Sequence, residues 1–264
     1  MKKLVRRNKG IVARIKALEE VDSPVTMLAY GQSGTGKTVF GASFPKPLLL
    51  IDIREKGIES IMDVKGIDLA SVENWDELDE LYWLLKDGSK YKSIVLEQLT
   101  AAQAMGMSKL REQKSMKPSE PFSQRGWGQL SGMMQEMIYN YRELYTKGYN
   151  ILFNAHERQR EPQEEDDERI TPSVGSNLMQ SVASFLNGAV SVIGNTFIRE
   201  KFDKKAKTSE VQYCMRVGPH AYYRAKIRRP VSAGPVPGVI VNPTFDKILA
   251  IQKGTTRKVK LRRK

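Results

Sequence analysis

The stretch richest in chemistry is Gly31-Gln32-Ser33-Gly34-Thr35-Gly36-Lys37-Thr38, followed by Val39. Its glycines let successive backbone amides turn inward and cradle an anion. Lys37 has the length to reach the outer phosphates of a nucleotide, and the Thr38 hydroxyl can ligate Mg²⁺. The run Thr26–Tyr30 reads as a buried strand ahead of the loop, and Lys37–Ser43 as a helix behind it. Such a helix aims its positive end at the bound anion. This strand–loop–helix setting separates a phosphate loop from a chance glycine-rich turn.

Binding a nucleotide needs only that loop. Hydrolysis also needs a carboxylate on the metal side, a group that activates water, and charge that steadies the transition state. Three apolar runs of strand length end in candidates. Tyr91–Glu97 ends in Glu97, a metal-side acid. Lys46–Ile53 carries Asp52 and leads into Glu55. Tyr149–Ala155 leads into His156, with Asn154 and Glu157 beside it. Ligands of open α/β sheets sit at the carboxyl ends of the strands, where these groups would meet.

The chain that must position them has 264 residues, a net charge of +13 and a pI near 9.7. Such a balance favours polyanionic partners. The cations crowd the two ends, in "KKLVRRNK" and "TTRKVKLRRK", while acids crowd Glu164–Glu168. A single cysteine, Cys214, excludes an intramolecular disulfide and a cysteine zinc site, and suits a strand in a reducing cytoplasm. His156 and His220 are too few for a histidine-rich metal centre. No run approaches the ~18 apolar residues of a membrane span, so no membrane partner is expected.

The remaining elements follow from pattern. Asn74 with Glu77 three residues on forms a capping box for a helix that buries Leu78, Leu81, Tyr82 and Leu85 and closes at Gly88. "AAQAMGMSKLREQK" reads as helix, Ser115–Gly128 as a long loop, and "QLSGMMQEMIYNYRELYTKG" as a long helix ending at Gly148. A helix around Leu178–Leu186 precedes the strand "GAVSVIG". "TFIREKF", "EVQYCMRV" and "AYYRAKI" read as antiparallel strands, the first two joined by the turn "DKKAKTS". Strands alternating with helices give an α/β fold with a mainly parallel central sheet and antiparallel C-terminal strands. The organisation expected is a basic extension at 1–22, a core at 23–252 and a basic tail at 253–264.

The order of these motifs is that of a family. "IDIREKG", "IVLEQLTAA" and "LFNAHER", placed around the phosphate loop, resemble the RecA-like P-loop ATPases, and more narrowly the phage nucleotide-binding proteins that serve as single-strand annealing proteins or recombinases. The resemblance spans residues 24–230. It implies a DNA-stimulated ATPase that takes ATP and Mg²⁺ in the bacterial host's cytoplasm. Its partners would be single-stranded DNA, further copies in a ring or filament, and a single-strand-binding protein. By the resemblance Glu55 activates water, Glu97 and Thr38 hold the metal, and His156 senses the γ-phosphate. Lys226 and Arg228 match the K-x-R pair that reaches a neighbouring subunit's γ-phosphate, and alternate residues on a strand share a face. Two departures stand out: Glu97 takes the place of Asp, and Gln98 that of Ser or Thr. Of the two loops that line the family's DNA channel, Ser115–Gly128 offers Lys117, Arg125, Phe122 and Trp127, while the other carries the Glu164–Glu168 acids. A ring motor or helicase loader, and an assembly locked by ATP with weak hydrolysis, are the alternatives.

Overall fold

The computed structural model describes residues 15, 24–117, 119–160, 173–203 and 208–255. Six strands run parallel in the order β7-β1-β5-β4-β2-β3: β1 Thr26–Gly31, β2 Leu48–Ile53, β3 Ile67–Val72, β4 Ser93–Glu97, β5 Asn150–Arg160 and β7 Val192–Asp203. Beyond β7 the sheet turns antiparallel through β8 Thr208–Arg216 and β10 Ile240–Val241. Two short antiparallel strands, β6 Ser173–Ser176 and β9 Lys226–Ile227, pair with β5 and β7. The expected α/β architecture, with a mainly parallel centre and antiparallel additions, is present.

Residues of the central strands alternate between two cores, which is why their sequences are apolar throughout. On one face Leu28, Tyr30, Ile51, Leu96 and Phe153 pack beneath α2 Trp75–Asp87, α3 Leu99–Gln113, α4 Gln124–Glu143 and α5 Gln180–Ala189. On the other, Met27, Ala29, Leu50, Val95 and Leu152 meet α1 Lys37–Ala42 and α6 Phe245–Lys253. Phe44, just past α1, stacks on Phe245 at 4.7 Å, tying the C-terminal helix to the helix that follows the phosphate loop.

Several expected bounds move. The Asn74 cap is as read, with its side chain accepting the Glu77 amide at 3.0 Å. The loop after α3 is shorter than Ser115–Gly128, because Ser123 caps α4 by accepting the Gly126 amide at 3.1 Å. The long helix therefore starts at Gln124, and it ends at Glu143, giving way to a 3-10 turn over Leu144–Lys147 before Gly148. "TFIREKF" is not a separate strand but the second half of β7, which pairs with β8 from Asn195↔Arg216 to Asp203↔Thr208. "AYYRAKI" is a strand only at Lys226–Ile227, with one isolated parallel bridge from Tyr223 to Val174. The edge strand β3 and helix α6 were not expected. The basic extension apart from Ile15, the acids of Glu164–Glu168, residues 204–207 of the expected "DKKAKTS" turn and the tail from residue 256 lie outside the described residues.

Candidate active site

The phosphate loop leaves the end of β1 flanked by β5 and β7, with Gly31 beside His156 on one side and Thr196 on the other. The approach is close: a Cβ on Gly31 would stand 2.2 Å from Thr196 Oγ1 and 2.4 Å from its carbonyl oxygen. Gly34 and Gly36 take left-handed conformations, φ +78° and +84°, that other residues adopt only under strain. Thr35 anchors the loop, donating from Oγ1 to Gln32 O at 2.8 Å and meeting Thr196 Oγ1 at 2.7 Å.

Lys37 is 6% exposed, and its Nζ donates only to the carbonyls of Gly31, at 3.1 Å, and Gln32, at 2.8 Å. Among the described residues no carboxylate lies within ion-pair distance of it. Burial pushes its pKa down, opposed by Glu97, Glu55 and Glu157 further off. A buried ammonium without a counter-charge is what a phosphate would neutralise.

Glu97, at the end of β4, is 6% exposed. Asn154 on the neighbouring strand β5 donates Nδ2 to its Oε2 at 2.6 Å. Burial pushes the Glu97 carboxyl up to about 7, against the hydrogen bonds from Asn154 and Thr38 and the charge of Lys37. Thr38 and Glu97 both line the same cavity, where one ion could meet both. No group of three or more His, Cys, Asp or Glu side chains among the described residues could hold a metal by itself. Thr38 and Glu97 offer the hydroxyl and the single carboxylate that Mg²⁺ would take beside waters and substrate phosphates.

The water-activating side is built from β2 and β5. Asp52, still within β2, accepts the backbone amides of Glu55 at 3.0 Å and Lys56 at 3.1 Å. This turn holds Arg54 at φ 63° and Lys56 at φ 53°, and each such residue costs roughly 1–2 kcal/mol. The result is that Glu55 Oε1 comes within 3.5 Å of His156 Nε2. Gln98 fixes the imidazole: its Oε1 accepts the His156 amide at 2.9 Å, and its Nε2 lies 2.7 Å from His156 Nε2. The Gln98 amide nitrogen must then donate, which leaves the imidazole proton on Nδ1.

Gln32, Ser33, Val39 and the rest of the expected loop sit where the sequence placed them. Ser33–Val39 line a cavity of 790 Å³, with Glu55, Glu97 and His156 on its wall. Lys226 and Arg228 are not in it. They lie toward the amino ends of the parallel strands, where Lys226 pairs opposite Ile193. Lys226 Nζ donates to Asn187 O and Arg228 Nη2 to Gly188 O at 2.8 Å, so both cap the carboxyl end of α5 in their own chain. The stacking pair proposed for DNA is also partly engaged: Phe122 packs edge-on against Trp127 at 5.2 Å and beside Arg111.

Gln98, Asn154 and Asp52 are structural participants that motif reading did not assign a role. A signal existed for Asn154, a polar residue within an apolar strand run. Gln98 stood out only as a departure from the family's Ser or Thr, and its partner lies 58 positions away.

A protein-family model described as an AAA domain matches residues 23–229, most of the chain and every residue of this constellation. The chain belongs to that AAA domain family. No curated protein matches it. Solved structures resemble this AAA domain at low identity, two of them as follows. One is the flagellar accessory protein FlaH from Methanocaldococcus jannaschii, 10% identical with a TM-score of 0.44, covering 85% of this chain and 92% of that one. The other is the KaiC-like protein PH0186 from Pyrococcus horikoshii OT3, 14% identical with a TM-score of 0.42, covering 84% and 91%.

Proposed function

We propose that this AAA domain hydrolyses ATP with Mg²⁺ and uses the cycle to bind single-stranded DNA as a ring or filament, annealing or exchanging strands in phage recombination within the host cytoplasm. The observation that carries the ATPase reading is the convergence of Lys37, Thr38, Glu97, Glu55 and His156 on one cavity at the carboxyl ends of four strands. The loop amides and Lys37 would hold the phosphates, while Thr38 and Glu97 would hold Mg²⁺. The ion supplies charge that neutralises the phosphates and polarises the bond to be broken. Glu55 would take the proton of the attacking water, and His156, fixed by Gln98, would contact the terminal phosphate.

DNA binding rests on charge. A net +13 and exposed Lys114, Lys117 and Arg125 between α3 and the start of α4 supply phosphate contacts, and exposed Trp127 supplies one aromatic face. Lys226 and Arg228 would reach a neighbouring subunit only after leaving the α5 carbonyls. The test is phosphate release with and without single-stranded DNA, alongside a salt titration of oligonucleotide binding. Stimulated turnover and affinity that falls linearly on a log–log salt plot support the proposal. Turnover coupled to directional movement along DNA favours a motor or loader. ATP-dependent assembly with negligible turnover favours an ATP lock.

A further inference from the structure

The catalytic groups occupy one side of the phosphate loop, and the cavity continues on the other. There its wall is Tyr213 from β8 and the segment Asn242-Pro243-Thr244 between β10 and α6. A triphosphate whose outer phosphate lies among Glu55, Glu97 and His156 must send its sugar and base away from them, across Gly36 and Thr38 toward this second wall. We propose that Tyr213, backed by Asn242–Thr244, is the platform on which the nucleobase of the substrate stacks. This deepens the ATPase reading and rests on it.

Three observations carry the assignment. First, the Tyr213 ring already lies against the loop: a Cβ on Gly36 would meet ring carbon Cδ1 at 3.1 Å, so the ring borders the backbone that holds the phosphates. Secondly, Tyr213 is 44% exposed and lines the cavity, an aromatic side chain not consumed in a core. A flat aromatic surface beside a phosphate site suits a base, because every base has a π-face that gains by stacking. Thirdly, the wall is built to stay in place. The Asn242 amide donates to Tyr213 O at 2.7 Å, and Thr244 caps α6. The Phe245 amide donates to Ser43 Oγ at 2.9 Å, at the end of the helix that follows the phosphate loop. Asn242 holds φ 46°, a strained conformation that turns the chain from β10 into the cavity wall. Residues Asn242–Thr244 lie beyond position 229, where the family match ends, so this part of the wall is furnished by chain outside the matched AAA domain.

The experiment compares ATP with inorganic triphosphate, which lacks a base, for wild type, Tyr213→Phe and Tyr213→Ala, by calorimetry with Mg²⁺. Wild type should bind ATP more tightly than triphosphate. Tyr213→Ala should lose about tenfold or more in ATP affinity, within the range for one base–aromatic stack. Its triphosphate affinity should be unchanged, and Tyr213→Phe should retain the wild-type ratio. An unchanged ATP-to-triphosphate ratio in Tyr213→Ala overturns the platform while leaving the phosphate loop standing. So does an equal loss of both ligands, which would make Tyr213 a buttress of the loop. Wild type that binds neither ligand overturns the nucleotide reading and the platform with it.

Discussion

Replacing Gly31 with Ala tests whether the seat of the phosphate loop is fixed by backbone contact. The added Cβ would lie 2.2 Å from Thr196 Oγ1, 2.4 Å from Thr196 O and 2.9 Å from Thr35 Oγ1. A carbon tolerates an oxygen no nearer than about 3.3 Å, so β1 and β7 must part by about 0.9 Å at their ends. Overfilling of this kind costs about 1–3 kcal/mol. The shift also loosens the Thr35–Thr196 contact and the bond from Thr196 Oγ1 to Tyr30 O, worth about 1 kcal/mol each. The expected loss is about 3 kcal/mol, or about 6–12 °C in melting temperature for a chain of this size. ATP affinity should fall at least about tenfold, because the loop amides lose their aim. The double variant Gly31→Ala/Thr196→Ala removes the hydroxyl conflict but keeps the carbonyl conflict, so it should recover less than half of the loss. Thermal unfolding and calorimetric ATP titration on the three variants decide it. A Gly31→Ala protein that melts within about 2 °C of wild type, or full recovery in the double variant, refutes the backbone argument.

Lys37→Ala should weaken ATP and triphosphate binding about a hundredfold or more, since no other cation of the loop can take over its charge-assisted contacts; equilibrium titration measures this. Glu55→Gln should keep ATP affinity but lower single-turnover hydrolysis by about 10²–10⁴-fold, because an amide cannot accept the water's proton; near-normal turnover would move the base elsewhere. Gln98→Ala frees the His156 ring and should lower kcat more than it raises KM, read from steady-state phosphate release. Lys226→Ala and Arg228→Ala should lower turnover only in assembled protein. Mixing either with Glu55→Gln should restore part of the activity, and absence of rescue at every ratio would leave these residues as caps of α5.

Local sequence was sufficient wherever a few adjacent residues carry their own instructions. Gly31–Thr38 specifies its loop because Gly34 and Gly36 alone accept the left-handed turns it needs. Asn74 and Glu77 set the start of α2 through local, reciprocal hydrogen bonds, and the unbroken apolar runs announced strands covered on both faces. The edge strand β3 escaped notice because Asp68 and Ser71, on opposite faces, break its apolar run, and the strand is covered less completely than its neighbours. Helix α6 did carry a signal, Thr244 followed by Phe245, Ile248 and Ile251 at helical spacing.

The site divides in the same way. Motif order named Lys37, Thr38, Glu97, Glu55 and His156, but their partners are set by sheet register. Asn154 reaches Glu97 because β5 lies beside β4, and Gln98 reaches His156 across 58 positions. Tyr213 stands against Gly36 across the antiparallel strands that follow β7, far along the chain from the loop it borders. Lys226 and Arg228 show the same division. Their spacing on one strand face was readable, but that face turns to the carbonyl end of α5, a place defined by how helix and sheet pack. Backbone conformation follows from neighbours in sequence; which charge meets which partner follows from the order of strands, and no short stretch of sequence contains that order.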